Sequence, residues 1–197
     1  MNDKIYKKLF SSLPEVDCGR VLLRPYRESD AKDFNEYMRE DRAAEYLMWY
    51  PHLNLHETKG YVEFMLRNYR KCLPSDWAVV LKENGKVIGN CGFTSVEMKH
   101  ECAELGYVLS PSYWGRGLMD EAMKGVMAVC FEQLEAHRAI LRIVDENIHS
   151  KALAERLGFR LEGRMFNSFF MKGGYRTICV YAMLEQEYAE RIASCAK

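Results

Sequence analysis

Two short segments of this 197-residue chain carry residue types and spacings that could do chemistry. The first is Pro111-Ser112-Tyr113-Trp114-Gly115-Arg116-Gly117-Leu118-Met119-Asp120-Glu121-Ala122. Glycines at 115 and 117 let the backbone turn sharply with no Cβ in the way. A helical period begins directly afterwards, and the first amides of a helix have no internal acceptor. Those amides and the helix dipole make an anion site suited to a pyrophosphate, to which Arg116 adds a charge-assisted contact. The plainer alternative is a glycine turn followed by a cap. The segment is not a Walker loop, and as a dinucleotide fingerprint its G-x-x-G continuation fails at Asp120. The second segment runs from Asn147 to Phe159. Asn147 can cap a helix and Ser150 lies one turn inside it, so plain capping competes with a functional reading for both. His52 and His56 are four apart, but Pro51 interrupts the local helix and no third ligand is evident, so no metal is expected.

The elements that must position these segments follow from periodicity. Residues 2–12 read as a short helix or arm. Residues 20–26 form a strand ended at Pro25, and Ser29-Asp30 caps a helix that carries Phe34, Tyr37 and Met38. A second helix spans 56–72 and stops before Pro74. Strands follow at 77–82, 87–96 and 102–109, the first two joined through Asn84-Gly85, a hairpin signal. After the glycine turn come a helix over 118–134, a strand over 138–144 and a helix over 147–157 stopped by Gly158. Strands at 159–165 and 177–184 close the set, joined by a loop holding Lys172-Gly173-Gly174. The order β-α-α-β-β-β-α-β-α-β-β is a mixed α+β layered domain with an antiparallel start and a central βαβ crossover. The boundaries are an N-terminal arm or helix over 1–19, a main domain over 20–187 and a C-terminal tail over 188–197.

Composition narrows the partners. Lys+Arg and Asp+Glu both number 28, so the formal charge is zero and no general polyanion binder, hence no nucleic-acid partner, is expected. The longest clear apolar run, Val126 to Phe131, is far short of the ~20 residues that span a bilayer, so no membrane partner is expected. The first residues show no apolar signal core, which points to the cytoplasm. Seven cysteines, an odd number without a C-x-x-C pair, argue against a disulfide framework or a structural zinc site.

The two segments resemble the signatures of the GNAT N-acetyltransferases, in the RimJ/RimL-like branch that acetylates ribosomal-protein N-termini. The cofactor signature matches Tyr113 to Ala122, and the second signature matches Asn147, Ser150 and Leu157-Gly158-Phe159. Leu22-Leu23-Arg24-Pro25 and Ala103-Glu104-Leu105-Gly106-Tyr107 match as well, in the same order. The resemblance covers residues 20 to 185. It implies a mostly antiparallel twisted sheet of about seven strands, splayed between the fourth and fifth, with about four flanking helices. It implies acetyl-CoA as co-substrate and no metal. Backbone groups of Tyr107, Val108 and Leu109 would pair with the pantetheine as if it were a strand, with a strand N–H near Val108 polarising the carbonyl. Amides from Gly115 and Arg116 through Gly117, Leu118, Met119 and Asp120 would hold the pyrophosphate. Asn147 would contact the pantetheine or the acetyl end.

Three positions depart from the family pattern. Met119 stands where Gly or Ala is usual, which implies a tighter turn or a displaced helix. Ala154 stands where many members carry the tyrosine that protonates the leaving thiolate, which shifts that role to Ser150. Phe169 stands near the carboxylate proposed as base in this branch, which leaves Glu104 as general base; the alternative for Glu104 is a half-exposed salt bridge. By resemblance the aromatics Tyr46, Trp49, Tyr50, Tyr61 and Phe64 cover the acceptor, although helix core accounts for each one singly. They suit an apolar or peptide-like amine, such as a protein N-terminus, and a small-molecule amine is the other acceptor class. A CoA-binding sensor or interaction module without catalysis is the alternative function. A homodimer is expected through the 2–12 arm and exposed Phe166, Phe169 and Phe170.

Overall fold

Largely apolar strands, the central ones buried on both faces, build one sheet, and two amphipathic layers cover it. The computed structural model describes residues 1–195; Ala196 and Lys197, the end of the expected C-terminal tail, lie outside the described residues. The strands are β1 (Val16–Asp17), β2 (Val21–Arg24), β3 (Asp76–Leu81), β4 (Lys86–Glu97), β5 (Cys102–Leu109), β6 (Arg138–Val144), β7 (Arg160–Met171) and β8 (Gly174–Leu184). The helices are α1 (Asp3–Ser11), α2 (Ala31–Met38), α3 (Asp41–Ala44), α4 (Leu55–Arg70), α5 (Leu118–Ala128), α6 (Ile148–Leu157) and α7 (Glu185–Cys195). The sheet order is β1-β2-β3-β4-β5-β6-β8-β7. Every neighbouring pair is antiparallel except β5 and β6.

That exception makes the site. Parallel pairing of β5 with β6 covers only Cys102–Glu104 against Arg138–Ile140. Beyond Glu104 the two strands diverge, which is the expected splay between the fourth and fifth strands of the sequence reading. The opening lies between the two halves of the sheet, with α5 crossing from one half to the other.

The eighth strand is β1, whose two residues pair with Leu22 and Leu23. Two residues are too few to leave a period in the sequence. The expected helix or arm over 2–12 is the helix α1; the extra helices are the four-residue α3 and α7, which starts at Glu185 and runs into the stretch read as a tail. The expected helix over 118–134 is α-helical to Ala128 and then makes a π turn over Val129–Gln133. The expected Lys172 loop is a tight hairpin turn, because β7 runs on to Met171 and β8 begins at Gly174. Cross-strand pairs Phe169–Arg176 and Phe170–Tyr175 sustain that extension, past an irregularity between Met165 and Phe169.

One core lies under α5 and includes Trp77, Phe93, Met123, Val126 and Leu141; the other lies under α2 and α4 and includes Tyr26, Phe34, Tyr37, Val62 and Val80. Arg24 and Asp30 form a buried bidentate pair at 2.7 and 2.8 Å that fixes the turn from β2 into α2. The segment expected to act as a dimer arm is instead committed to the first core. Leu9 and Phe10 are buried, and the Phe10 ring meets Phe93 edge-on at 5.4 Å. Phe10→Ala should therefore lower stability by about 3–5 kcal/mol, as for other buried aromatics. A urea midpoint equal to that of the parent chain would show that α1 contributes nothing to the fold.

Candidate functional site

The splay, the glycine turn and the start of α6 converge on one cavity of about 1260 Å³. Tyr107, Val108, Leu109, Gly115, Gly117, Leu118, Met119 and Asp120 line it from the β5–α5 side, and Asn147 and Ser150 line it from α6. Glu104 sits at the fork where pairing ends. Arg116 is absent from the lining: its guanidinium donates to the Ser112 carbonyl at 3.0 Å and lies over the Tyr113 ring.

The glycine turn has the backbone that its sequence requires. Gly115 and Gly117 have φ of 74° and 72°, the left-handed region that favours glycine. Gly117 is the N-cap of α5 and brings no side chain to the amides that follow. The amides at the start of α5 therefore face the cavity uncapped, as an anion site needs. Asp120 is tied to Arg156 of α6 at 2.9 and 3.2 Å, which offsets a carboxylate charge at this end of α5.

Long-range contacts that no local spacing reveals hold this turn. The Arg20 guanidinium donates to the Arg116 carbonyl at 2.8 Å and to Glu121 at 2.7 Å, and its backbone N–H donates to Glu121 at 2.9 Å. A Cβ on Gly117 would lie 3.4 Å from Arg20 Nη2. The Met119 side chain is buried in the core beneath α5.

The open edge of β5 follows from strand alternation. The Ser110 N–H donates to the Ile88 carbonyl at 2.8 Å, so in this antiparallel pair the Val108 backbone also faces β4. Tyr107 and Leu109 turn their backbone groups toward the gap instead. This corrects the expected carbonyl-polarising donor: a gap-facing N–H belongs to Tyr107 or Leu109, and Val108 N–H is directed into the β4 ladder. Trp114 Nε1 donates to the Leu109 carbonyl at 2.7 Å. The Trp114 ring is also overlain by the Arg42 guanidinium and faces His149 at 6.2 Å. All three residues line the cavity, and none had been assigned a role from sequence.

On the other wall, Asn147 Oδ1 accepts the Ser150 N–H at 3.0 Å as the cap of α6. The Ser150 hydroxyl lies 2.5 Å from the Tyr107 hydroxyl. Burial pushes the Tyr107 phenol up to about 12, against an opposing contribution from the Ser150 hydrogen bond. Asp145 fastens the turn before α6 by accepting from Cys179, Lys151 and Arg164. Those bonds, that from Cys179 foremost, hold its carboxyl at about 2. Ala154 is fully buried in the core and faces no reactant.

Of the five aromatics expected over the acceptor, only Tyr46 lines the cavity. Tyr61 packs into the second core, and its hydroxyl lies 3.4 Å from that of Tyr26. Trp49 packs toward His52, while Tyr50 and Phe64 are exposed. Phe169 is not an exposed interface residue. It is half-buried and lines the cavity near Tyr46, Met171 and Ile178. His52 meets Thr58 at 2.8 Å, whereas His56 is exposed.

Comparison with known proteins gives this geometry a context. A family profile described as an acetyltransferase (GNAT) domain matches residues 20–160. The chain is 25% identical over 170 residues to the uncharacterized N-acetyltransferase p20 of Bacillus licheniformis, covering 86% of this chain and 96% of that protein. It is 28% identical to the Escherichia coli ribosomal-protein-serine acetyltransferase, over 64% of this chain and 67% of that protein. It is also 28% identical to the Escherichia coli spermidine N(1)-acetyltransferase, over 58% and 61%. Among solved structures, RimL, a ribosomal L7/L12 α-N-protein acetyltransferase in complex with coenzyme A, superposes with a TM-score of 0.78 at 22% identity, over 87% of this chain and 98% of that one. At that identity the likeness speaks for the fold.

The Arg20 clamp and the left-handed glycines make separable predictions. Arg20→Ala should speed amide hydrogen exchange over residues 115–121 and leave the β3–β4 amides unchanged; equal exchange in both proteins would show the clamp to be idle. Gly117→Val should cost about 1–3 kcal/mol, because a branched residue is forced into a left-handed conformation. A denaturation midpoint within error of the parent would contradict that conformation.

Proposed function

We propose, for a chain that belongs to the acetyltransferase (GNAT) family and is an N-acetyltransferase, the transfer of an acetyl group from acetyl-CoA to a primary amine by direct attack in a ternary complex. One observation carries the reading. The unpaired edge of β5 and the uncapped amides of α5 open into the same cavity. The first suits an extended amide-bearing arm and the second suits a pyrophosphate, and the two are joined in a single molecule of CoA. A relative of the same fold that binds CoA supports the assignment. The bound thioester supplies an activated acetyl carbon; the chain supplies orientation and proton handling.

In this reading Tyr107 and Leu109 pair with the arm, and Gly115 to Asp120 cradle the phosphates through the backbone. Asn147 orients the start of α6, and Ser150 donates to the departing sulfur. Glu104 accepts the proton of the amine. An alkyl amine of pKa ~10 is only about 0.1% neutral at pH 7, so a base at the fork is useful. The half of the cavity walled by Tyr46, Phe169, Met171 and Ile178 suits an amine with apolar or peptide-like neighbours. A protein N-terminal amine and a small-molecule amine are the two acceptor classes. Relatives are named for one of each.

Zero net charge supports an acceptor that is not a nucleic acid, and we place the activity in the cytoplasm. Among the described residues no helix is long and apolar enough to cross a membrane. The edge strand β7 leaves Phe166 and Phe170 exposed at 73% and 60%, with Tyr175 beside them. This is the face we assign to a homodimer now that α1 and Phe169 are engaged within the fold; light scattering that shows only monomer at high micromolar concentration would remove it.

Calorimetry with acetyl-CoA, followed by a screen for CoA release with spermidine and serine-initiated peptides, tests the function. No binding at near-millimolar acetyl-CoA would overturn it. Binding without CoA release across broad acceptor panels would favour a CoA sensor instead, the reading to which buried Ala154 and apolar Phe169 contribute. Glu104→Gln should lower turnover by roughly 10²-fold or more at neutral pH and recover in part at high pH, where more of the amine is already neutral. A near-normal rate across pH would place the base elsewhere.

A further inference from the structure

Tyr107 does more than line the cavity. β5 and β6 share no backbone pairing beyond Glu104, yet the Tyr107 side chain crosses from β5 to the first turn of α6. Its hydroxyl lies 2.5 Å from Ser150 Oγ and 3.2 Å from the Ser150 carbonyl oxygen. The shorter contact selects the hydroxyl as partner. One phenolic proton cannot serve both acceptors well, so two arrangements exist. Tyr107 can donate to the carbonyl while Ser150 Oγ–H points at Tyr107, or Tyr107 can donate to Oγ and free the serine proton to point into the cavity.

We propose that Tyr107 and Ser150 form a two-hydroxyl proton relay, with Tyr107 as the positioning residue that turns Ser150 into a donor toward the cavity. This rests on the acetyl-transfer reading above. In the transfer, the C–N bond to the amine forms as the C–S bond breaks. Ser150 Oγ–H passes its proton to the departing sulfur and takes one from Tyr107 O–H. Solvent restores the phenol with the equivalent of the proton that the amine gave up to Glu104, so the sum is amine plus thioester to amide plus thiol.

A lone serine hydroxyl is a poor acid, and a phenol at its back is a better one. The geometry also explains how a chain with buried Ala154 in place of a tyrosine on α6 can supply a phenolic proton: the tyrosine comes from the opposite strand. No charged side chain hydrogen-bonds either hydroxyl among the described residues, so the relay runs between neutral groups at rest.

The test uses the full chain with CoA and with desulfo-CoA, in which hydrogen replaces the thiol. Calorimetry should show the parent binding CoA about tenfold more tightly than desulfo-CoA, the size of one hydrogen bond to sulfur. Tyr107→Phe, Ser150→Ala and the double variant should each collapse that margin to the same small value, the margin being the ratio of CoA to desulfo-CoA affinity taken within each variant. A margin intact in Tyr107→Phe would overturn the relay while leaving CoA binding itself in place. Failure of the parent to bind either compound would instead strike at the acetyl-transfer reading. With one acceptor found in the screen, Ser150→Ala and the double variant should lose the same factor in kcat, roughly 10²-fold, because the two hydroxyls act as a unit. Losses that multiply would mean independent roles and would also overturn the relay. A thermal midpoint of Tyr107→Phe close to that of the parent separates this outcome from simple misfolding.

Discussion

Pairing between β5 and β6 stops after three residues, and every functional feature of the chain depends on that stop. A sheet that continued would satisfy the Tyr107 and Leu109 backbone internally and leave no cavity. Because it diverges, α5 must cross between two half-sheets, and its N-terminus lands where β5 ends. The uncapped amides of α5 and the open strand edge are therefore two results of one topological event. Parallel pairing is also slightly less stable per residue than antiparallel pairing, which lowers the cost of separating the strands there.

The divergence needs reinforcement, and the chain supplies it through side chains. Arg20 ties the start of β2 to the glycine turn and to α5, while Asp120 and Arg156 join α5 to α6. Tyr107 and Ser150 join β5 to α6. Asp145 locks the turn before α6 onto β7 and β8 through Arg164 and Cys179. At the far end, the Lys172 ammonium in the β7–β8 turn donates to the Ala44 carbonyl at the end of α3 and sits over the Tyr50 ring. These contacts are mostly polar and span long stretches of sequence. Backbone pairing is replaced by discrete ties, each at a place where two walls of the cavity would otherwise drift apart.

The parts of the site that were legible in the sequence are those set locally. Gly115 and Gly117 announce a turn because their own φ demands glycine, and Asn147 announces a cap because its partner is three residues away. The strands from β2 to β6 were legible as apolar, β-rich runs bounded by turn signals such as Pro25 and Asn84-Gly85. Arg20, Arg42 and the Trp114–His149 contact were not, because their partners are about thirty to a hundred residues distant. Phe169 misled because an aromatic in an exposed strand looks like interface, and only the β7–β8 register shows that it turns back toward Tyr46. The N-terminal segment is the expected short helix, but its docking was not legible: its lysines stand outside, and its inner face buries Leu9 and Phe10 against residues far along the chain.

The open edge of β5 carries a consequence for the life of the protein in a cell. An unpaired strand edge inside a fold is a local weak point, open to fraying and to proteases that catch frayed states. Any ligand that pairs with it binds the native chain and not the unfolded one. At a hundred times its dissociation constant, such a ligand adds about 2.7 kcal/mol of stability, enough to change steady-state abundance several-fold. On the proposed reading, the amount of this protein would follow the supply of the metabolite that pairs with that edge. Starvation for that metabolite would thin out the protein by turnover, without any change in its synthesis.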